Sequence, residues 1–158
     1  VEPQTGYQPP AAVRRQGLSL AGAESITLPT GTLSLEQLLA LFSTLPVDVT
    51  FIDEDDRVAF FSEGPDRVFA RSRAVLGRKV QHCHPPRSVD TVNRIVDSFR
   101  EGTQDVAEFW INFHGRFVHI RYFAVRGAGG QYLGTLEVTQ DVTRIRALEG
   151  ERRLLEFA

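Results

Sequence analysis

A chain of 158 residues, 42% apolar and 24% charged, is long enough for one domain with a single buried core and modest extensions. Its formal net charge of −2 lacks the basic excess that nucleic acid or an acidic membrane surface demands, which argues against both partners. No apolar run approaches the roughly 20 residues that span a bilayer, and no basic stretch followed by an apolar one opens the chain as a secretory signal would. Cys83 is the only cysteine, which rules out an intramolecular disulfide and suits a reducing cytoplasm. With no methionine at all, the chain reads as a fragment of a longer protein.

Residues 1–31 carry Pro3, Pro9, Pro10 and Pro29 among Gly, Gln and Thr, without a sustained apolar period, and read as a linker. Ser34 followed by Gln37 predicts a capping box, and Leu35, Leu38, Leu39 and Phe42 place a helix behind it that Pro46 stops. Asp48 to Asp53 and Arg57 to Phe61 read as two strands paired across the acidic turn. Pro65 to Leu76 holds short helical turns at best, and Gly77 to Pro86 is irregular. Ser88 is the expected cap of a stronger helix carrying Val89, Val92, Ile95, Val96 and Phe99, with Gly102 as its left-handed terminus.

From Val106 the apolar period changes to alternation, predicting strands over Val106–His114, Phe117–Val125 and Tyr132–Asp141. His114-Gly115-Arg116 and the glycine-rich Arg126 to Gln131 connect them. Thr143 to Phe157 reads as a charged closing helix with Ile145, Leu148 and Leu155 on one side.

This order, with the ending Gly134-Thr135-Leu136-Glu137-Val138-Thr139-Gln140-Asp141-Val142-Thr143, resembles a Per-Arnt-Sim (PAS) domain over about residues 33–145. The segments Phe61 to Gly64, Gly77 to Pro86, Ala107 to Ile111 and Arg121 to Arg126, with Ala147 to Glu151, are similar to the C-terminal PAS domain of hemerythrin-like prokaryotic proteins. The resemblance implies an α+β PAS fold: a five-stranded antiparallel sheet, helices over one face enclosing a cavity, and flanking terminal helices. It divides the chain into a linker (1–31), the PAS domain (32–142) and a C-terminal signalling or coiled-coil-like helix (143–158).

Alternation sorts the long strands into two faces. In PAS domains the residue two before the terminal Asp, here Thr139, points into the cavity. The face expected to line it carries Glu108, Trp110, Asn112, Val118, Ile120, Tyr122, Thr135, Glu137 and Thr139. Carboxylates there are costly unless paired. Glu108 and Glu137 therefore imply either a small polar or cationic ligand, with Trp110 as a packing surface, or internal pairing with Arg71, Arg73 or Arg78. The opposite face, with Phe109, Ile111, Phe113, Phe117, His119, Arg121, Phe123, Leu136 and Val138, is too apolar to face water, so a helix or a second subunit must cover it. A homodimer through this face and the terminal helices is the expected assembly.

His82, Cys83 and His84 are three metal-ligating side chains in succession at the expected cavity mouth, and they are the candidate metal or haem ligands. Neighbouring side chains diverge, and the helix where PAS haem ligands commonly lie has no histidine, so His82 and His84 rank as cavity-mouth residues first. Val80, not a cysteine, stands where light-sensing PAS domains carry their reactive thiol. No phosphate-binding glycine loop, Gly-x-Ser-x-Gly elbow or HExxH helix is present, and no enzyme is expected. The expected function is a cytoplasmic sensory or regulatory module that binds a small ligand and signals through its terminal helices; the alternative is a ligand-free dimerisation or protein-interaction module.

Overall fold

The computed structural model describes residues 24–154. These fall into two compact units, one formed by 24–46, 63–66 and 149–154, the other by Val47–Ser62 and Arg67–Leu148.

In the first unit, β1 (Ser25–Leu28) and β2 (Gly31–Ser34) form an antiparallel hairpin that leads into α1 (Leu35–Thr44). The capping box is present: Gln37 N–H donates to the Ser34 hydroxyl, and the Gln37 side chain accepts from Ser34 N–H. The hairpin corrects the linker expectation for residues 25–31. Pro29 and Thr30 turn the chain, Gly31 takes a φ of 145°, and the alternating Ile26, Leu28 and Leu33 are strand-formers too few to register as a period. The remainder of that expectation, residues 1–23, lies outside the described residues.

The second unit is a five-stranded antiparallel sheet in the order β4-β3-β7-β6-β5, comprising β3 (Asp48–Asp53), β4 (Val58–Phe61), β5 (Val106–Phe113), β6 (Arg116–Arg126) and β7 (Tyr132–Asp141). Helix α2 (Pro86–Glu101) and the 3-10 turn Val80–Cys83 pack on one face, where Ile52, Val80, Val92 and Val96 form the buried core and Phe99 is fully enclosed. Burying each such side chain contributes about 1.5–3 kcal/mol. Arg100 ties the end of α2 to the acidic turn, donating to Asp56 at 2.5 Å and to the Glu54 carbonyl.

Helix α2 begins earlier than expected. Pro85 is its N-cap and Pro86 fills the first position, where a missing N–H costs nothing, while the Ser88 hydroxyl donates back to the Pro85 carbonyl. Gly102 ends it in the left-handed region, as expected. The C-terminal helix is shorter than expected: α3 is the single turn Thr143–Arg146, and Gly150 sits at φ 64°. Ile145 and Leu148 are exposed, and a helix this short has no stability without an apolar face to bury. Its last expected residues, 155–157, lie outside the described residues.

Candidate functional site

Cross-strand partners share a sheet face, so the β-ladder decides which residues meet. Along β7, Thr135, Glu137 and Thr139 stand opposite Ile52, Thr50 and Asp48 of β3 and opposite Ala124, Tyr122 and Ile120 of β6. This is the face under α2, so Ile120, Tyr122, Thr135, Glu137 and Thr139 lie together as expected.

The expectation for β5 is overturned. His114 and Gly115 have φ of 49° and 76°, a two-residue turn with both positions left-handed. Phe113 therefore pairs with Arg116, Ile111 with Val118 and Phe109 with Ile120. Counting three residues in that turn slips the register by one and puts every β5 side chain on the wrong face. Phe109, Ile111 and Phe113 belong to the inner face, and rings confirm it: Phe109 packs edge-on against Tyr122 at 6.1 Å, and Phe113 against Phe69 at 5.1 Å. Glu108, Trp110 and Asn112 lie on the outer face, all exposed, with Glu108 2.7 Å from His119.

On the inner face Glu137, 5% exposed, is the centre of a buried polar cluster. Arg71 Nη2 donates to its Oε1 at 3.2 Å, the Thr139 hydroxyl approaches the same oxygen at 3.5 Å, and Tyr122 stands opposite it across the ladder, close enough for the carboxylate to act on its phenol. Burial, reinforced by that carboxylate, pushes the Tyr122 phenol far above its ordinary value, so it serves as a proton donor throughout the physiological range. Arg71 Nε is buried and has no hydrogen-bond partner among the described residues.

Beside this pair stand three residues that the sequence reading did not single out. Arg67 donates to the Ser62 carbonyl at 2.6 Å, the Phe69 carbonyl at 2.9 Å and the Thr50 hydroxyl at 3.0 Å. Asp48 accepts the Val68 N–H at 2.7 Å, and burial holds its carboxyl above the usual range against the pull of that bond and of Arg67. Asp48 and Thr50 are polar residues on a strand packed against the core, which is the one signal that could have marked them. On the other flank the Tyr132 hydroxyl lies 2.7 Å from that of Thr135.

The structure does not bring His82, Cys83 and His84 together with one another or with a further ligand. No group of three or more His, Cys, Asp or Glu side chains converges among the described residues. The 3-10 turn splays its side chains: His82 is exposed, Cys83 Sγ faces the Lys79 carbonyl at 3.6 Å, and His84 Nδ1 lies 2.9 Å from the Val80 carbonyl. A separate open cleft of about 700 Å³ runs between α2 and β5, over Ile95, Ser98, Phe99, Ala107 and Phe109.

The strand that closes the sheet is latched to the helical turn behind it. The Asp141 carboxylate accepts the N–H of Thr143 at 3.0 Å and its hydroxyl at 2.6 Å, and the Thr143 hydroxyl accepts the Phe117 N–H at 2.8 Å. The Arg146 guanidinium stacks 3.8 Å from the Phe117 ring.

A family model described as a PAS domain matches residues 38–143. Among solved structures, a C-terminal domain from Streptococcus mutans is similar at 32% identity and a TM-score of 0.73, covering 79% of this chain and 97% of that one. The PAS domain of a protein from Colwellia psychrerythraea is similar at 15% identity and a TM-score of 0.51, covering 70% and 98%, a likeness of fold alone. No curated protein matches.

Proposed function

Because this chain belongs to the PAS domain family, whose members are sensory and regulatory rather than catalytic modules, we propose that it senses a small polar ligand in the cytoplasm, bound over the inner face of its sheet. Residues 32–142 carry the sensing unit, and residues 143–158 pass its state onward. The observation that carries this reading is the polar cluster of Arg71, Tyr122, Glu137 and Thr139, buried on one face with a guanidinium N–H left without an acceptor. A purely structural network is expected to be satisfied, since each unmet buried donor costs about 1–3 kcal/mol. The latch of Asp141 and Thr143 onto Phe117 supports the output half, because movement of β6 or β7 is felt at the first turn after the sheet.

The reading also includes a homodimer through the outer face. Trp110 and Val106 are 61% and 52% exposed on that face of the edge strand, an apolar surface that a second copy would cover. No helix among the described residues is long and apolar enough to cross a membrane. The ligand-free interaction module is the second reading, favoured by the internal Arg71–Glu137 pairing.

Native mass spectrometry of the purified protein separates the two. A bound small molecule, lost when the polar cluster is disrupted by Arg71→Met, supports sensing; a ligand-free dimer that no compound in a thermal-shift screen stabilises supports the interaction module. Trp110 is the only tryptophan, so its fluorescence reports the dimer directly. A blue shift with rising concentration is expected, and an emission maximum independent of concentration over a monomer–dimer range would remove the outer face as the interface.

A further inference from the structure

Resting on the ligand-binding reading above, we infer that the ligand is a small organic carboxylate, held by the Nε–Nη2 edge of Arg71. A ligand's chemistry follows from what its site leaves unused. Glu137 is already paired: Arg71 donates to its carboxylate at 3.2 Å, and the Thr139 hydroxyl approaches the same oxygen at 3.5 Å. Arg67 is also committed, its Nε, Nη1 and Nη2 each engaged with the protein.

The unmet demand is on Arg71, whose buried Nε–H lacks an acceptor. A guanidinium presents Nε–H and one Nη2–H as a parallel fork that fits the two oxygens of a carboxylate, and Nη2 keeps its second N–H for Glu137. Arg121 Nε is unpartnered too, but it belongs to the outer face, and its guanidinium lies 5.5 Å from the Phe123 ring. Solvent does not reach Arg71 Nε, so binding there requires a local rearrangement that admits the acceptor.

Titration of the full chain with acetate, propionate and succinate, against propionamide and propylamine at constant ionic strength, tests this. The carboxylates are expected to bind and to shift the Arg71 Nε–H resonance in NMR spectra, a readout that needs no variant. Arg71→Lys keeps a cation facing Glu137 but has no planar fork, and it is expected to weaken carboxylate binding at least about tenfold, the loss of one good charge-assisted hydrogen bond. Carboxylate binding that leaves both the resonance and the Arg71→Lys affinity unchanged would overturn the assignment to Arg71. Binding of propylamine or propionamide instead, abolished by Glu137→Gln, would overturn the carboxylate class while leaving the ligand site standing. No binding by any probe, together with no bound mass in the native spectrum, would sink both.

Discussion

Replacing Glu137 by leucine isolates the energetics of the buried pair. The substitution leaves the Arg71 guanidinium, whose side chain is 13% exposed, without the acceptor the fold provides, and Nε already lacks one. An uncompensated buried charge costs about 3–5 kcal/mol. The converse change, Arg71→Met, is milder, because Glu137 keeps the Thr139 hydroxyl. The loss there is one charged hydrogen bond, about 1.5–3 kcal/mol. With both replaced, an apolar pair fills the same space, and stability returns to within about 2 kcal/mol of the wild type, as buried ion pairs exchanged for apolar residues generally allow. Urea unfolding of the four proteins, followed by far-ultraviolet circular dichroism, gives the cycle. Additive losses in the double variant, or a Glu137→Leu loss below about 1 kcal/mol, would refute the claim that this pair is buried and mutually dependent.

Three further outcomes rest on particular contacts. A Cβ at Gly134 would lie 2.2 Å from the Ile52 carbonyl and 2.8 Å from the Phe51 ring at φ 151°, so Gly134→Ala is expected to lower unfolding stability by about 3 kcal/mol or more; an unchanged urea midpoint would contradict the β3–β7 register. Burial raises the Asp48 pKa, so the folded state binds the proton more tightly and stability falls as pH rises from 3.8 through the folded value. Asp48→Asn removes that slope, and its stability relative to the wild type should rise between about pH 4 and pH 7, with a pH-independent difference counting against a desolvated carboxyl. Thr143→Val removes the acceptor of the Phe117 N–H and the hydroxyl donor that helps hold Asp141 below the usual carboxylate range. Faster amide exchange at Phe117 and an Asp141 pKa returned toward 3.8 are expected, and unchanged exchange would dissolve the latch.

Much of the fold was legible because its signals are local. The Ser34–Gln37 capping box, the left-handed Gly102, the change of period at Val106 and the acidic β3–β4 turn each report on a few adjacent residues. The β1–β2 hairpin was hidden because four-residue strands with every side chain in the first one exposed leave no hydrophobic pattern. The closing helix was overread because its apolar spacing describes a face that only a partner could bury.

The candidate site divides at one turn. Strands β6 and β7 were sorted correctly because Thr139 anchors their inner face, and every second residue follows from it. That anchor reaches β5 only through the hairpin, and hairpin register depends on whether two residues or three make the turn. His114 is not a residue that advertises a left-handed conformation as glycine does, yet it adopts φ 49° and makes the turn two residues long. This single conformation moves Trp110 from the inner face to the outer one and brings Phe109 against Tyr122. Its consequence is physical as well as diagnostic: the aromatic ring proposed at the dimer face and the ring packed on the ligand cluster are consecutive residues of one exposed edge strand. On the proposed reading, a ligand that shifts Tyr122 would displace Phe109, and the pleat would hand that displacement to Trp110 across one peptide unit.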